Sequence, residues 1–365
     1  MTISSPSYGR RLDDFEEGAV YPHPWEVTLD WGLLALTRAS FLDAAPVYAS
    51  AAFARELGFR EHPVPPVLLL NLGLSFSVHD ISEQAIAHLA YLDVYFPNPC
   101  YVGDTVRATS KVLGKKPSSA GDKGVVHVRT VVENQDGVVV CSFERKALIR
   151  AGAVFGRPKA FLEAAQPDPL GRRHPVNLDQ LSVRPGRSGA FAGFFEDFEP
   201  GKVYAHQNGK TIGESEHMQL TLLYRNSHPI HFDEEYCRAG NSFKGTRVVY
   251  GGLVFATIAS LASRDVAGNS LWDMGFDAGA HPGGVVAGDT LFAASQVLDR
   301  TVVDDACGDV TFRLVGTRNV PTQKLLSRGV DLFTAERDKS REERTTEKVF
   351  EITRTLRVLR RPTDA

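Results

Sequence analysis

The feature that most constrains this chain of 365 residues is an internal repeat. The segment 14–23, Asp-Phe-Glu-Glu-Gly-Ala-Val-Tyr-Pro-His, matches 197–206, Asp-Phe-Glu-Pro-Gly-Lys-Val-Tyr-Ala-His, which lies 183 residues further on. Two further pairs follow in the same order: 43–48 with 226–231 at the same offset, and 103–105 with 288–290 at an offset of 185. Ordered matches at a nearly constant spacing indicate two copies of one module in a single chain.

The repeat predicts the domain organisation. We expect an N-terminal module over 1–150, a linker over 151–196 and a C-terminal module over 197–365. The expected linker is rich in proline, with glycine and arginine between the prolines, which is typical of surface segments. The length suits two domains, since most domains have roughly 100–200 residues.

Each module shows the same order of predicted elements. A short helix is expected to begin at a proline, Pro46 or Pro229, since proline suits the first helical position. An almost wholly apolar stretch follows in each copy, and a helix that is apolar on all sides must be buried. Segments with the period of two that is typical of strands come next. The apolar stretches are 67–78 and 253–262, and the strand-like segments are 106–112, 125–132 and 138–149, then 291–298, 310–317 and 349–359. A long antiparallel sheet wrapped around a central helix is the hot-dog arrangement, so we predict an α+β protein with a double hot-dog fold.

Charge and hydropathy exclude several classes of protein. The formal net charge is −3, so neither nucleic acid nor an anionic membrane surface is an expected partner. The longest apolar runs, 64–70 and 253–262, are shorter than the roughly 18 residues that a membrane-spanning helix needs. The four cysteines are scattered, which predicts a cytoplasmic protein with neither a disulfide framework nor a metal site. We interpret the basic segment 354–361 as part of an edge strand.

The segment most informative about function is 224–236, Tyr-Arg-Asn-Ser-His-Pro-Ile-His-Phe-Asp-Glu-Glu-Tyr. It resembles the Asp-x-Asn-Pro-x-His-x-Asp signature of R-specific enoyl-CoA hydratases in the MaoC-like dehydratase family, and it matches that signature at Pro229, His231 and Asp233. Asn226 stands where the family has Asp, and His228 stands where it has Asn.

A second segment carries the same resemblance. Val249-Tyr250-Gly251-Gly252-Leu253 is similar to the family's Val-His-Gly stretch, which opens the central helix. The first motif, with its Asn and its Pro-Ile-His-Phe-Asp run, is closest to the mesaconyl-CoA hydratase (β-methylmalyl-CoA dehydratase) branch, which is also a double hot dog of about this length.

The resemblance implies a hydro-lyase that reversibly hydrates a 2-enoyl-CoA thioester, in this branch mesaconyl-CoA to β-methylmalyl-CoA. It implies that no metal or redox cofactor is needed. CoA belongs to the substrate. The expected partners are the acyl-CoA substrate and further copies of the chain in a homo-oligomer.

The chemistry of hydration assigns roles to the residues of the motifs. It needs a base for water, a proton donor for the α-carbon and stabilisation of charge on the thioester oxygen. We expect His231 just inside a helix N-terminus, where the helix dipole keeps the imidazole neutral. The backbone N–H of Gly251 is the expected donor to the enolate oxygen. An amide cannot accept a proton from water, so Asn226 is expected to orient water or substrate while His231 transfers the proton.

Five further residues are candidates for binding the substrate. Tyr250, Gly252 and His228 are expected near the acyl group. Arg225 and Arg247 are candidates for meeting a substrate carboxylate or the phosphates of CoA.

The first copy of the module has Asp43 at the position of Asn226 but Tyr48 at the position of His231. We therefore predict one working site, in the C-terminal module, with the N-terminal module shaping the tunnel for the substrate. An alternative is that Asp43 reaches across to assist His231.

Three other functions remain open at this stage. The first is a hydratase of straight-chain R-3-hydroxyacyl-CoA. The second is an acyl-CoA thioesterase, although such an enzyme needs a carboxylate that Asn226 does not supply. The third is a non-catalytic acyl-CoA-binding module whose site has lost the Asp.

Overall fold

The computed structural model describes residues 7–155, 167 and 193–362. The first part of the chain begins with a strand and three helices and continues with four long strands. These elements are β1 (Val20–Thr28), α1 (Trp31–Ser40), α2 (Ala51–Glu56), α3 (Pro66–Phe76), β2 (Ala85–Tyr95), β3 (Thr105–Pro117), β4 (Lys123–Asn134) and β5 (Val139–Arg150).

The second part repeats this order with a shorter start. Its elements are β6 (Val203–Ala205), β7 (Lys210–Thr211), α4 (Glu214–Leu223), α5 (Glu234–Tyr236), α6 (Gly251–Val266), β8 (Ser270–Ala280), β9 (Thr290–Val302), β10 (Cys307–Arg318), α7 (Thr322–Leu326) and β11 (Lys348–Leu359). The insertion between β10 and β11, which includes α7, packs as a small apolar cluster against the outside of the sheet.

One antiparallel sheet runs through both parts in the order β1-β3-β4-β5-β2-β8-β11-β10-β9-β6, with β7 paired to β9. The two halves join where β2 pairs with β8. Gly275 permits this contact, because a Cβ atom there would lie 2.3 Å from the Val94 carbonyl oxygen. The predicted double hot-dog fold is therefore confirmed as one continuous sheet that holds two central helices.

The central helices α3 and α6 lie side by side inside the sheet, as the apolar sequence stretches predict. Ten of the 11 residues of α3 and 12 of the 16 residues of α6 are buried, and both helices contribute to one shared apolar core. They touch where the Asn71 side chain donates to the Gly252 carbonyl at 3.3 Å. A Cβ atom on Gly252 would lie 2.0 Å from Asn71 Oδ1, so glycine is required at this crossing.

The repeat is visible in a buried polar cluster that occurs twice. His23 contacts Asp80 at 3.0 Å and Ser110 at 2.8 Å. In the second half, the corresponding His206 contacts Asp265 at 2.6 Å and Ser295 at 2.9 Å. Each cluster connects the start of its half to the last turn of the central helix or to the turn that follows it.

The predicted elements need three corrections. The helices expected to begin at Pro46 and Pro229 are each broken into a 3₁₀ turn and a second short helix, because Ser50 and Asp233 cap new N-termini. The segment 354–361 is not at an edge, since β11 lies between β8 and β10. Strands β2 and β8 and helices α1 and α4 have no counterpart in the sequence-based prediction.

The predicted boundaries of the modules remain predictions. Most of the expected linker, 156–166 and 168–192, lies outside the described residues. Within the residues that are described, no helix is long and apolar enough to cross a membrane. All four cysteines are buried free thiols.

The crossing of the central helices makes a prediction about stability. Gly252→Ala should destabilise the protein by about 1–3 kcal/mol, because overpacking of a close contact costs that much. Chemical denaturation measures it. Gly114→Ala is the matched control, since a Cβ atom there meets nothing within 4 Å. Recovery of stability in the double variant Gly252→Ala/Asn71→Ala would identify Asn71 as the residue that clashes. Equal losses of stability in Gly252→Ala and Gly114→Ala would contradict the requirement for glycine at the crossing.

Candidate active site

A cavity of about 150 Å³ lies between the two halves of the molecule. The C-terminal half contributes the sequence-predicted residues Asn226, His228, His231, Tyr250 and Gly251. The N-terminal half closes the cavity with residues from the end of α3, from β2 and from β5, namely Leu74, Val78, His88, Tyr91 and Arg145. The cavity is large enough for a small acyl group and is lined by apolar side chains with a few polar groups between them.

The end of α4 positions Asn226. Arg225 adopts a left-handed conformation (φ 66°), which terminates the helix, and the Asn226 amide donates back to the Thr221 carbonyl at 3.0 Å. The Asn226 side-chain oxygen accepts from the His228 amide at 3.0 Å. This bond fixes the orientation of the side chain and leaves Nδ2, which is buried and has no partner among the described residues. Asn226 therefore presents an N–H donor to the cavity.

The main chain fixes the tautomer of His231. Its Nδ1 atom lies 2.7 Å from the Val248 carbonyl oxygen, which can only accept, so Nδ1 carries the proton. The loop is held in place because the Val248 amide donates in turn to the Ile230 carbonyl at 3.0 Å. Nε2 of the neutral ring is consequently an unprotonated acceptor.

Helix α6 begins beside His231. The ring centroids of His231 and Tyr250 are 5.6 Å apart, and Tyr250 is the residue before the first turn of α6. The Gly251 amide belongs to the first N–H groups of this 16-residue helix, which have no acceptor within a helix. A Cβ atom on Gly251 would lie 2.8 Å from His281 Nε2, so glycine also makes room for His281.

Burial keeps the histidines of the cavity neutral. It lowers the pKa of His231 to about 3 and the pKa values of His228 and His281 to about 4. His231 is neutral as expected, but the cause is burial and not a helix dipole. His231 ends a three-residue 3₁₀ turn and does not begin a helix, and desolvation is the largest influence on its pKa.

The structure brings five of the eight sequence-predicted site residues to this cavity. Gly252 lies at the crossing of the central helices, beside Asn71. Arg225 is exposed and forms the turn after α4. Arg247 pairs with Glu214 and Glu234. None of these three is among the residues that line the cavity.

Sequence reasoning missed His88, Tyr91, Arg145 and His281. The Tyr91 hydroxyl and His281 Nε2 are 3.1 Å apart, and the rings of His88 and Tyr91 have centroids 4.1 Å apart. The motifs give no sign of them, since these residues lie outside both motifs, on β2, on β5 and directly after β8. The repeat itself carried a usable signal, because His88 and Asp273 are 185 residues apart, the offset of the Gly-Asp-Thr pair.

Asp43 lines a different and smaller cavity, of about 40 Å³, together with Tyr224 and Arg354. Burial raises the pKa of Asp43 to about 6. This cavity is the counterpart of the larger one in the duplicated fold, and the geometry gives no support to a role for Asp43 beside His231. Across the described ranges, no group of three or more His, Cys, Asp or Glu side chains could hold a metal ion.

Comparison with solved structures defines the class of protein. A structure from Chloroflexus aurantiacus, described as a MaoC domain protein dehydratase, superposes with a TM-score of 0.81 at 29% identity, covering 98% of this chain and 100% of that one. A Mycobacterium tuberculosis protein described as having a double hotdog fold superposes with a TM-score of 0.69 at 20% identity. The fold is that of the MaoC-like double hot-dog proteins.

Sequence comparison narrows the class to a family. The family model "Mesaconyl-CoA hydratase" matches residues 4–321. Mesaconyl-CoA hydratase of Cereibacter sphaeroides is 32% identical, covering 88% of this chain and 93% of that protein. Beta-methylmalyl-CoA dehydratase of Chloroflexus aurantiacus is 30% identical, covering 86% of this chain and 89% of that protein. The chain belongs to the mesaconyl-CoA hydratase family, which confirms the resemblance of its motifs.

The lowered pKa values of the buried histidines predict that the folded protein loses stability at acidic pH. The pKa of His228 falls from an ordinary 6.5 to about 4, so the unfolded chain binds the proton more tightly than the folded one. The contribution of neutral His228 to the free energy of unfolding is therefore fully present above about pH 6.5 and is lost as the pH falls towards 4. Between pH 7 and pH 5 His228 alone should contribute a loss of about 2 kcal/mol.

Urea denaturation at both pH values measures this loss. His228→Gln should reduce the difference between the two pH values by about the same amount. An unaltered pH dependence in His228→Gln would show that His228 is not held neutral.

Proposed function

We propose that the cavity between Gly251 and His231 hydrates a 2-enoyl-CoA, converting mesaconyl-CoA to β-methylmalyl-CoA by general-base catalysis. The observation that carries this proposal is the bond from His231 Nδ1–H to the Val248 carbonyl. It leaves Nε2 free to take a proton inside the same cavity that receives the first N–H groups of α6.

The first step places water between His231 and the β-carbon of the substrate. Nε2 accepts a proton from water as the oxygen attacks the β-carbon, and the electrons of the double bond move towards the thioester oxygen. An isolated imidazole of such low pKa holds a proton poorly. The negative charge that develops on the thioester oxygen favours imidazolium and raises the pKa of His231 during the step.

The second step returns the proton. The enolate oxygen accepts a hydrogen bond from the Gly251 amide, which gains strength as charge develops in a site sheltered from water. Nε2–H of His231 then protonates the α-carbon, which completes the addition of water. The same residue accepts the proton from water and delivers it to the α-carbon. Delivery from one side of the double bond makes the addition syn.

Asn226 positions the reactants in this scheme. Its Nδ2 donor is the one polar atom of the side chain that has no partner in the part of the chain that the structure describes. A donor can hold the water oxygen or the thioester oxygen but cannot take the proton. Asn226 therefore leaves the proton transfer to His231 in this proposal.

The role of His231 can be tested with a variant that keeps the loop intact. In His231→Asn the side-chain amide can still donate to the Val248 carbonyl but offers no Nε2. We expect kcat for mesaconyl-CoA hydration to fall about 10²–10⁴-fold, the usual contribution of a general base. Loss of enoyl absorbance measures the rate.

Two further variants complete this experiment. His127→Asn, at a histidine on the outer face of the sheet that contacts Glu144, is the matched control and should change kcat less than threefold. Asn226→Ala should cost about 10²-fold, as expected for loss of one preorganised donor. Near-normal turnover of His231→Asn would exclude the proposed base.

The remaining alternatives predict different products. A straight-chain hydratase should prefer crotonyl-CoA to mesaconyl-CoA, whereas we expect kcat/KM to favour mesaconyl-CoA by at least about 10-fold. A thioesterase should release free thiol, which a thiol reagent detects, and we expect none. A non-catalytic module should bind the CoA ester without turnover. Association of several copies of the chain and a cytoplasmic location remain predictions that these assays do not address.

A further inference from the structure

Arg145 gives the cavity a buried positive charge. It lies on β5 of the N-terminal half, is 4% exposed and lines the cavity with His231 and Asn226. Its Nη2 donates to the Ser77 carbonyl at 3.2 Å, while Nε is buried and has no partner within the described residues. Among those residues, no carboxylate lines the cavity or pairs with Arg145. A guanidinium has five N–H donors, so most of its bonding capacity is unused.

The neighbouring groups do not compensate this charge. The four histidines of the cavity are neutral near pH 7, because burial lowers the pKa of each one. The pKa of Arg145 is lowered to about 10 by the same cause, which still leaves it protonated. The pKa values of Tyr91 and Tyr250 are raised, so these hydroxyls are also neutral. The cavity therefore carries a net positive charge.

The duplicated half provides an internal comparison. Arg145 lies opposite Tyr91 in the sheet, and Arg354 of β11 lies opposite the corresponding Phe276. Arg354 is neutralised by Asp273, with bonds of 2.7 and 3.0 Å to its two carboxylate oxygens. The residue corresponding to Asp273 in the first half is His88, whose two ring nitrogens are buried and have no partner in the described part of the chain.

A buried cation without a counterion is costly for a folded protein, because the lost hydration is not replaced. The comparison shows that the corresponding arginine of the other half, Arg354, is neutralised within the protein. Position 88 has His where the other half has Asp273, and this difference leaves Arg145 open to an anionic ligand. Arginine suits a carboxylate, since the planar fork can form two parallel bonds.

We propose that Arg145 binds the free carboxylate of a dicarboxylic acyl group and selects such substrates over acyl groups that end in a methyl. This inference rests on the proposed function for the reaction but assigns the recognition of the substrate to a residue of the opposite half. In a thioester such as mesaconyl-CoA, the carboxylate is attached to the β-carbon that receives water. The residue that binds it must therefore share a cavity with the base, as Arg145 and His231 do.

The pairing of Arg145 with the substrate carboxylate also favours the reaction. A carboxylate next to the β-carbon repels the electron-rich oxygen of the attacking water, and the guanidinium offsets that charge. The phosphates of CoA do not compete for Arg145, because a pantetheine arm separates them from the acyl group and this cavity accommodates only a small group.

Two substrates that differ in one group test the proposal. Mesaconyl-CoA and tiglyl-CoA are alike except that a methyl replaces the carboxylate. We expect Arg145→Gln to lower kcat/KM for mesaconyl-CoA by about 100-fold or more, as for the loss of a buried charge pair, and to change that for tiglyl-CoA less than about threefold. Arg107→Gln, at an exposed arginine paired with Glu133, is the control and should change neither.

His88→Asp tests the same idea without removing the arginine. It places a carboxylate where the other half has Asp273, and should reduce activity towards mesaconyl-CoA as strongly as Arg145→Gln. The thermal midpoint of Arg145→Gln should not fall below that of the parent, because an unpaired buried charge is removed. Equal losses on both substrates, or undiminished activity on mesaconyl-CoA, would overturn the proposal.

A binding measurement separates this inference from the proposed reaction. Methylsuccinyl-CoA and 2-methylbutyryl-CoA have no double bond and cannot be hydrated. Calorimetry should show that the parent protein binds the first at least about 10-fold more tightly than the second, and that Arg145→Gln abolishes the difference. If the protein fails to hydrate mesaconyl-CoA but shows this preference, the reaction is misassigned and the carboxylate site stands. If the preference is absent, the site is misassigned whatever the reaction.

Discussion

The antiparallel pairing of β2 with β8 is the interaction on which the rest of the molecule depends, because it makes one sheet out of two modules. It brings the central helices into contact and encloses their apolar residues in one shared core. It also sets Tyr91 of β2 against His281, which follows β8. The cavity forms along this seam, with His231 and the N-terminus of α6 on one side and Arg145 on the other. Neither half lines this cavity alone, so the proposed reaction depends on the joined sheet.

The two halves show how one duplicated scaffold supports two different interiors. In the first half, Tyr48 stands at the position of His231, and its hydroxyl accepts the Asp273 amide at 3.1 Å. Asp273 also pairs with Arg354, so the arginine that lines this smaller cavity is neutralised by a neighbouring carboxylate. The larger cavity has different residues at the two corresponding positions. Position 231 has histidine where Tyr48 stands in the first half, and position 88 has histidine where Asp273 stands in the second half. In the proposed function and the proposed recognition of the substrate, these two differences leave His231 Nε2 and the Arg145 guanidinium available to a ligand.

Much of this arrangement could be predicted from the sequence because repeats and apolar periodicity survive without knowledge of contacts. The two central helices and six of the strands follow from these patterns, whereas His231, Asn226 and Gly251 follow from the resemblance of the motifs to a known family. Strands β2 and β8 were not, since β2 is partly exposed and its pattern is irregular at its bulges. Arg145 and His88 were missed with them, because their meaning comes from what lies across the sheet. Arg225 and Arg247 drew attention through their place beside the motif, yet one forms a turn and the other pairs with glutamates.

The acceptor that sets the tautomer of His231 is a main-chain carbonyl, and this has a consequence for how the protein can change. In many enzymes a carboxylate holds the catalytic histidine, and one substitution can remove it. Here any residue at position 248 supplies the same oxygen, so only a shift of the loop itself could release the ring. Drift in the surrounding side chains can therefore alter which thioesters are accepted while the proton-transfer apparatus stays the same.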